Sequence, residues 1–343
     1  MPSDRENNPT LISVIVTAFN RIDYIDRALQ SVRSQTVDLL SIEVILVTNF
    51  SYNLKWPSPF NRFLSLQSNG SIGEYLFDAL KCSTGQIIAF LDDDDAWEKT
   101  KLEYILEEFF ADTTLIYIHN ATKYIDDLSN EIKSSRLSDS KFITHHSRCI
   151  KFSNAEIQHC LKHVLSTGGD FNLSSISIHR KIVEKALPYL PQISGGTDTF
   201  FFWLSLFSGG NLLITPNVMT EYGLHAYNAS RAFSGEAKAL ELRKILNTYH
   251  VILHFINRES VKIDRKLGLE WLHKLIDQYE LLSLVFSQAS KFIIFMNLRC
   301  LLFSSPHFRY SSTRRIILFS LFHLIFPKLT NKVYFKFLEN TGR

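Results

Sequence analysis

Apolar runs of strand length recur along the first third of the chain. Leu11–Thr17, Ile42–Thr48 and Ile87–Leu91 are apolar and rich in β-branched residues, which predicts buried strands. Leu64–Leu66 is a shorter run of the same kind. Residues 49–61 contain two prolines and no clear period, which predicts a loop. The chain therefore begins with several strands of one buried sheet.

Segments with a helical period separate these runs. The spacing of apolar residues predicts helices from Ile22 to Val32, from Gly73 to Cys82 and from Lys99 to Phe110. Strands that alternate with helices indicate an α/β unit with a largely parallel sheet. Ligands of such sheets bind beyond the carboxyl ends of the strands. We therefore expect three segments to converge on one site: Thr17–Asn20, Thr48–Ser51 and Asp92–Asp95.

The second half of the chain has a weaker pattern. Residues 119–168 are rich in Ser, Lys, Asp and His, and we expect variable loop and a short helix there, near the site. The predicted elements that follow are strands at Phe171–His179 and Leu212–Ile214, and helices at Lys181–Leu187 and Thr199–Phe207. Beyond about Gly235, long helical periods with little Gly or Pro predict a helical region.

Asp92–Asp95 place four consecutive carboxylates at the end of a predicted strand. Two like charges ~4 Å apart near a protein surface repel by about 4 kcal/mol, so this cluster requires a cationic partner. Oxygen ligands suit a hard divalent ion, and such an ion also holds phosphate-bearing substrates. The alternative is a solvated acidic turn or a helix N-cap.

Composition indicates a folded chain in a reducing compartment. Apolar residues make up 45% and charged residues 21% of the 343 residues, which suffices for a substantial core. The four cysteines are scattered without a Cys-x-x-Cys pair, which argues against a disulfide framework and a zinc ribbon. The polar residues before the first strand include no signal-peptide type of apolar stretch. We therefore expect a cytoplasmic protein.

Four segments occur in a recognisable order. They are Ser13–Arg21, Leu29–Thr36, Gly85–Trp97 with its Leu-Asp-Asp-Asp-Asp-Ala-Trp end, and Gly196–Asp198 followed by an apolar helix and Gly209-Gly210. Together these segments resemble the family 2 glycosyltransferases of the GT-A fold, over roughly residues 10 to 230. The third segment is the most specific of the four.

The resemblance implies both a fold and a reaction. The implied fold is α/β, a Rossmann-like GT-A domain with a mostly parallel central sheet flanked by helices, here with a C-terminal helical extension. The implied reaction is metal-dependent, inverting transfer from a nucleotide-sugar, with a UDP-sugar favoured, to a hydroxyl of a glycan or lipid-linked glycan. Surface polysaccharide synthesis is the expected setting, and Mn²⁺ or Mg²⁺ the expected cofactor.

The resemblance also implies roles for individual residues. Asp198 is expected to be the general base, which removes the acceptor hydroxyl's proton as that hydroxyl attacks. Asp94 is the expected direct metal ligand. Asp92 is expected to hold the ribose or a metal-bound water, and His225 to lie near the diphosphate and the metal. The residues expected to bind the nucleotide-sugar are Thr17, Phe19, Asn20, Arg21, Asn49, Asp92, Asp93 and Arg231. The alternatives are an ordinary helix N-cap for Asp198 and a structural histidine for His225.

The chain departs from the family after the second strand. Where the family has Asp-Asp-Gly-Ser, this chain has Thr48-Asn49-Phe50-Ser51, so the acid that contacts the base or ribose is replaced by an amide. This leaves two alternatives open: a degenerate GT-A module that binds sugar nucleotides without transfer, and a nucleotidyltransferase. Thr17–Arg21 contains no Gly, which disfavours the nucleotidyltransferase because that class needs a Gly-rich, basic loop.

The C-terminal region differs in charge from the rest of the chain. From Lys291 to Arg343 there are nine basic residues and one acidic residue, a local charge of +8, whereas the first 290 residues carry −5. The apolar run Ile316–Phe326 is too short to span a bilayer, which takes ~20 residues. We expect it to lie on a membrane surface. The alternatives are packing on the catalytic domain and a homo-oligomer interface.

The expected division is a flexible N-terminus at 1–10, a GT-A domain at 11–235 and a helical region with a basic amphipathic tail at 236–343. The chain shows no platform of interleaved basic and aromatic residues, so we expect no nucleic-acid partner. The expected partners are the nucleotide-sugar, the glycan or polyprenyl-linked acceptor, and a membrane surface contacted through 291–343.

Overall fold

The structure is a computed structural model of the chain. It describes residues 10–126, 129–132, 149–225, 235–258, 265–287, 289–303 and 311–325. The predicted phosphate contact Arg231 and the basic residues from 326 onward lie outside the described residues.

Four parallel strands form one half of a mixed sheet. They are β1 (Ile12–Ala18), β2 (Ile42–Thr48), β3 (Arg62–Gln67) and β4 (Ile87–Asp92), in the order β3-β2-β1-β4. In this register Thr17 of β1 lies beside Asp92 of β4, and Ala18 lies beside Thr48 of β2. The three strand ends predicted to converge therefore do lie side by side.

Both faces of these strands are covered by helices because their residues alternate between two buried clusters. Val14 and Val16 of β1 face α1 (Ile22–Arg33) and α3 (Lys101–Ala111). Ile15 faces α2 (Ile72–Cys82) on the opposite side. Burial on both faces explains why these strands are continuous apolar runs rather than alternating ones.

The other half of the sheet brings in antiparallel strands. The strand β5 (Ala96–Trp97) is short, β6 is Leu115–Ile125, β7 is Ile150–Phe152, β8 is Ile176–His179 and β9 is Asn211–Gly223. β8 lies antiparallel between β4 and β6, β6 pairs in parallel with β9, and β5 and β7 both pair antiparallel with β9. The sheet is thus parallel within its first half and mixed within the second.

Across residues 119–168 the expectation of loop and short helix missed two strands, although a helix is present. This stretch contains most of β6, the whole of β7 and the helix α4 (Asn154–Ser166). β6 lacked a strand signal because its buried residues include His119 and Asn120, which the protein satisfies with hydrogen bonds to the Phe171 carbonyl and the Thr220 hydroxyl. α4 had a start signal, the Ser153–Glu156 capping box.

Two other strand predictions had the wrong length. Of Phe171–His179, only Ile176–His179 is strand, because Leu173–Ser175 forms a single 3₁₀ turn. The strand predicted at Leu212–Ile214 continues to Gly223, where pairing with β5 and β6 supports residues that are polar or exposed. This extension is what carries the end of β9 to the acidic segment of β4.

The remaining described elements are helical, as the periodicity predicts. Two helices precede β9, α5 (Arg180–Ala186) and α6 (Thr197–Leu206). Four follow it, α7 (Gly235–Arg258), α8 (Arg265–Phe286), α9 (Lys291–Phe303) and α10 (Ser311–Ile325). The later part of α7 packs into the main core, whereas α9 and α10 form a separate cluster with the start of α7 and the end of α8. None of the described helices is long and apolar enough to cross a bilayer.

Candidate active site

The four carboxylates lie in a turn at the carboxyl edge of the sheet. β4 ends at Asp92, and the Asp95 N–H donates to the Asp92 carbonyl at 3.1 Å, which closes the turn. Asp93, Asp94 and Asp95 are buried. The segment after Asp92 is therefore a turn and does not continue the extended strand. We call Asp92–Asp95 the acidic turn.

Arg21 is the cation that contacts the acidic turn. Its Nε and Nη2 donate to the two carboxylate oxygens of Asp93 at 3.1 and 2.5 Å, which is a bidentate pair. Its Nη1 donates to Oδ2 of Asp94 at 2.6 Å. The side chain of Asp93 is fully buried, so this guanidinium compensates a carboxylate that water does not reach.

His225 meets the acidic turn from the end of β9. Its Nε2 lies 2.8 Å from Oδ2 of Asp94 and 3.2 Å from Nη1 of Arg21. The imidazole stacks on Tyr24 of α1, with ring centroids 5.0 Å apart. Arg27, also on α1, donates to the backbone carbonyl of Asp94. The sequence-predicted residues Arg21, Asp94 and His225 are thus in direct contact.

Asp92 and Asp94 differ in their surroundings. Burial raises the pKa of Asp92 to about 6, and the neighbouring Asp94 charge adds to the rise, against the hydrogen bond from the Thr17 hydroxyl at 2.9 Å. Burial also acts to raise the pKa of Asp94. The hydrogen bond with His225 and the positive charge of Arg21 outweigh it and hold that pKa below its usual value. Asp94 is therefore the carboxylate best placed to remain charged.

Asn20 and Asn49 form a pair at the ends of β1 and β2. The Asn20 N–H donates to Oδ1 of Asn49 at 2.9 Å, and Nδ2 of Asn49 donates to Oδ1 of Asn20 at 2.5 Å. Asn20 has φ of 58°, a left-handed conformation that asparagine tolerates. Phe19 beside it is 54% exposed. The amide that replaces the family's acid therefore contacts the predicted Asn20, in an open part of the site.

Asp198 lies at the start of α6. Its Oδ2 accepts from the Asn172 N–H at 3.1 Å and its Oδ1 from the Thr199 N–H at 2.8 Å. Burial raises the pKa of Asp198 to about 7, and the charges of Asp170 and Asp92 add to the rise. A carboxylate with a pKa near neutrality suits proton abstraction, and a plain helix cap does not require such a value.

A turn that the sequence did not single out links Asp198 to the acidic turn. We call Leu173–Ser175 the serine turn. Asn172 contacts Asp198 through its backbone and accepts from the Ser174 N–H at 2.8 Å through its side chain. The Ser174 hydroxyl accepts from the Asp92 N–H at 2.9 Å. Three hydrogen bonds, each from a backbone N–H to a side-chain oxygen, therefore connect Asp198 to Asp92.

Lys101 supports the serine turn from below, and no sequence signal identified it. Its Nζ donates to the Ser174 carbonyl at 2.5 Å and to the Thr220 hydroxyl at 3.0 Å. It lies 4.6 Å from the centre of the Trp97 ring, and the residue has no exposed surface. Burial lowers the pKa of Lys101 well below its usual value. A lysine at the start of an amphipathic helix gave no reason to expect this position.

Gly223 brings β9 against the acidic turn. Its N–H donates to Oδ1 of Asp95 at 2.9 Å, and a Cβ at this position would lie 2.0 Å from the Asp94 carbonyl. Glycine is required here by the close approach of two backbones. Asp95, left unassigned by the sequence, therefore joins β9 to β4 rather than facing the open site.

The side chains present suit a divalent ion of the Mg²⁺ or Mn²⁺ type. Oδ2 of Asp94 and Nε2 of His225 are 2.8 Å apart, close to the ~3 Å expected of adjacent ligands around an octahedral ion with bonds of 2.0–2.1 Å. No group of three His, Cys, Asp or Glu side chains converges within the described residues. An ion here would complete its coordination with water and phosphate oxygens, the usual arrangement for Mg²⁺.

Comparisons with known proteins agree with this geometry. Residues 13–169 match the sequence model described as Glycosyl transferase family 2. The match includes β1, the acidic turn and β6. Within residues 13–169 the chain carries a family 2 glycosyltransferase domain. The recognition made from the four sequence segments is confirmed.

Solved structures show that the fold of this chain is GT-A. TarS of S. aureus in complex with UDP-GlcNAc has a TM-score of 0.56 at 14% identity, with 92% of this chain and 81% of that chain covered. TarS in complex with UDP has a TM-score of 0.55 at 12% identity, with 91% and 81% covered. The predicted fold class, with its C-terminal helices, is confirmed.

Curated relatives are also glycosyltransferases by name. The UDP-Glc:alpha-D-GlcNAc-diphosphoundecaprenol beta-1,3-glucosyltransferase WfaP of Escherichia coli is 25% identical over 228 residues, covering 64% of this chain and 80% of WfaP. An uncharacterized glycosyltransferase of Nostoc is 31% identical over 117 residues, and the putative glycosyltransferase EpsH of Bacillus subtilis is 30% identical over 122 residues. These matches cover 32% and 34% of this chain and about a third of each relative, 36% and 35%.

Proposed function

We propose that this chain transfers a sugar from a nucleotide-sugar donor to a hydroxyl group of a glycan acceptor, with inversion at the anomeric carbon. One observation carries the proposal. Asn172 and the serine turn connect Asp198, a carboxylate with a pKa of about 7, through hydrogen bonds to the acidic turn, which contacts His225. A base and a diphosphate-binding cluster are the two parts that a single-displacement transfer requires.

The donor occupies the carboxyl edge of β1, β2 and β4 in this proposal. Thr17, Phe19, Asn20 and Asn49 face the nucleoside, with the Asn20–Asn49 pair in the place of the family's acid. UDP is the favoured nucleotide. The TarS structures contain UDP or UDP-GlcNAc by title, and the name of WfaP specifies UDP-Glc.

The diphosphate lies at the acidic turn. Asp94 and His225 are the proposed ligands of Mn²⁺ or Mg²⁺, with Asp92 hydrogen-bonded to Thr17 and oriented beside them. Such an ion, when bound, stabilises the negative charge that grows on the leaving diphosphate. Arg21 adds a positive charge beside the diphosphate. Its ion pairs are with Asp93 and Asp94, not with the Asn20–Asn49 pair that faces the nucleoside.

Asp198 accepts the proton of the acceptor hydroxyl in this proposal. General-base catalysis typically contributes a factor of roughly 10²–10⁴ to the rate. The two N–H groups that bind the Asp198 carboxylate fix its orientation, and burial keeps it basic enough to take a proton near neutral pH. A base that acts without a covalent glycosyl intermediate corresponds to direct displacement and therefore to inversion.

Donor binding is the experiment that tests the proposal. We expect UDP-sugars to raise the melting temperature of the protein in the presence of Mn²⁺ more than GDP- or dTDP-sugars do, because ligands that bind the folded state stabilise it. Asp198→Asn should retain that shift and abolish transfer. An absence of any Mn²⁺-dependent shift with all three donor classes would rule the proposal out, and transfer that survives in Asp198→Asn would place the base elsewhere.

We further propose that the acceptor is lipid-linked and that the chain reaches it at a membrane surface. The acceptor in the name of WfaP is a sugar on diphosphoundecaprenol. The helices α9 and α10 expose large apolar side chains, including Phe292, Phe295 and Leu318, at 72%, 53% and 65%. Residues 281–338 contain no Asp or Glu. An apolar face within a segment that has basic but no acidic residues fits an anionic lipid surface.

In this proposal residues 11–235 are the catalytic domain, and residues 236–343 position it at the lipid. The β-sheet and the candidate site lie before Gly235, and the exposed apolar helices lie after it. The two parts are joined by α7, whose Tyr249 and Phe255 pack into the main core. Loss of the second part should therefore affect access to a membrane-bound acceptor more than donor binding.

A further inference from the structure

Arg21 makes a contact that the proposed roles do not explain. Its Nη1 lies 2.6 Å from Oδ2 of Asp94 and 3.2 Å from Nε2 of His225, and those two atoms lie 2.8 Å from each other. One guanidinium nitrogen therefore contacts both atoms that are the proposed ligands of a divalent ion. This nitrogen carries part of the positive charge of the guanidinium, so it places positive charge where the divalent ion would bind.

The triangle of contacts contains a mismatch. Nε2 of an imidazole has one hydrogen-bonding position, which holds either a proton or a lone pair. With a proton it donates to Asp94 and faces the N–H of Arg21. With a lone pair it accepts from Arg21 and faces the carboxylate oxygen of Asp94. A divalent ion would accept a lone pair from both groups, which removes the mismatch.

Arg21 has an anchor that does not depend on Asp94. The bidentate pair with Asp93 uses Nε and Nη2, and Asp93 is fully buried. Nη1 can therefore leave Asp94 while the other two nitrogens stay in place. A planar guanidinium can keep Nε and Nη2 on Asp93 while Nη1 changes its partner. A lysine ammonium, with a single nitrogen, is less suited to such an exchange.

We propose that Arg21 is the exchangeable counter-ion of this site. In the donor-free protein its Nη1 takes the position between Asp94 and His225 and neutralises the acidic turn. A divalent ion takes that position only after Nη1 has moved, and the freed N–H groups then point to a phosphate oxygen of the incoming donor. The ion and the donor therefore bind together, and the donor-free protein binds the ion weakly. The proposal rests on the proposed function for the metal ligands Asp94 and His225 and for the identity of the donor.

Titration of Mn²⁺ without donor tests this directly, with electron paramagnetic resonance of free Mn²⁺ as the readout. Arg21→Lys keeps the net charge but replaces the fork with a compact ammonium that cannot contact Asp93 and Asp94 together. Arg21→Gln removes the charge as well. Arg27→Gln is the matched control, because Arg27 contacts the Asp94 backbone carbonyl and not its carboxylate.

We expect both Arg21 variants to bind Mn²⁺ at least about tenfold more tightly than the wild type does, and Arg27→Gln to change the affinity less than Arg21→Lys. Mn²⁺ alone should also raise the melting temperature of Arg21→Gln more than that of the wild type. Arg21→Lys keeps a cation for the buried Asp93, so it provides the comparison if Arg21→Gln fails to fold.

Two outcomes would overturn the proposal. One is equal Mn²⁺ affinity in the wild type and Arg21→Lys, which includes the case that neither binds. The other is a gain in Arg27→Gln as large as that in Arg21→Gln, which removes the same charge; such a gain would assign the effect to net charge. Donor titration of the wild type is a separate measurement. If no donor binds, the proposed function fails, and this result differs from both outcomes above.

Discussion

At the residue scale, the chemistry depends on two carboxylates with different environments. Asp94 contacts Arg21 and His225, which hold its pKa below the usual value, whereas burial raises the pKa of Asp198 to about 7. Asp94 is therefore ionised throughout the physiological range, and Asp198 changes its protonation within that range. Pairs of groups with opposite shifts are typical of sites that both bind charge and transfer protons.

This difference predicts the pH dependence of transfer. A base must be deprotonated to act, and a raised pKa means that Asp198 is protonated below about pH 7. We expect kcat/KM to fall as the pH drops, with a midpoint near 7, when transfer is measured between about pH 5 and 9. Donor affinity measured over the same range serves as the control for titration at the acidic turn. A profile that stays flat from about pH 5.5 to 8.5 contradicts the assignment of Asp198 as base.

The sequence predicted which residues meet at the site more completely than it predicted what each one contacts. Thr17, Asp92, Asp94 and His225 lie together as expected because strand order and family resemblance locate the ends of strands. The contact of Arg21 with Asp93 and Asp94 was not predicted. Spacing along a chain cannot show where a long side chain reaches once the strand becomes a turn.

At the element scale, the serine turn connects the two halves of the site. The Ser174 carbonyl accepts from the Trp97 indole at 2.9 Å, from Lys101 at 2.5 Å and from the Thr220 hydroxyl at 3.2 Å. The three donors come from β5, α3 and β9. A single backbone carbonyl thus fixes the turn relative to three elements. Ser174 of the turn contacts Asp92, and Asn172, the residue before the turn, contacts Asp198.

Lys101→Met tests the importance of this support. The variant keeps an apolar stem of similar length but removes the ammonium from the Ser174 carbonyl and the Thr220 hydroxyl. Because two buried acceptors lose a donor, we expect the free energy of unfolding to fall by about 1–3 kcal/mol. We also expect kcat to fall more than the donor KM rises, because the separation of Asp198 from the acidic turn is no longer fixed.

Lys99→Met is the matched control for that variant. Lys99 lies two residues earlier and is exposed, so the same substitution should leave both the unfolding free energy and kcat nearly unchanged. Chemical denaturation and steady-state kinetics on the two variants separate the effects. If Lys101→Met lowers the free energy of unfolding but has the same kcat as the wild type, Lys101 has a structural role alone.

The elements that sequence patterns identified are those buried on both faces. β1, β2 and β4 were located within a residue or two because continuous apolar runs of strand length are rare elsewhere. β6 was not identified, since it buries His119, Asn120 and Thr122. These polar residues find partners from distant parts of the chain, and a local pattern carries no information about such partners.

At the scale of the whole molecule, the C-terminal helices bury one side and leave the other uncovered. Ile294 and Leu298 of α9 are buried against α8 and α10, whereas Phe292 and Phe295 on the same helix are exposed. A helix that is apolar on all sides is usually surrounded by other apolar groups. The basic charge of residues 291–343, +8, favours an anionic lipid surface as the group that covers this face.

The membrane proposal predicts that Phe292→Glu combined with Phe295→Glu abolishes binding to phosphatidylglycerol vesicles. Each aromatic ring that enters the interface contributes apolar burial, and each glutamate adds repulsion from anionic headgroups. Wild type should co-sediment with phosphatidylglycerol vesicles and much less with phosphatidylcholine vesicles.

Phe110→Glu is the matched control, since Phe110 on α3 is 62% exposed and lies in the catalytic part. Point variants are preferable to a deletion after Ser290, because α9 and α10 cover the apolar end of α8. Equal sedimentation of the double variant and wild type would refute the proposal. A wild-type dimer that the double variant dissociates, without vesicle binding, would assign the face to a second copy of the chain.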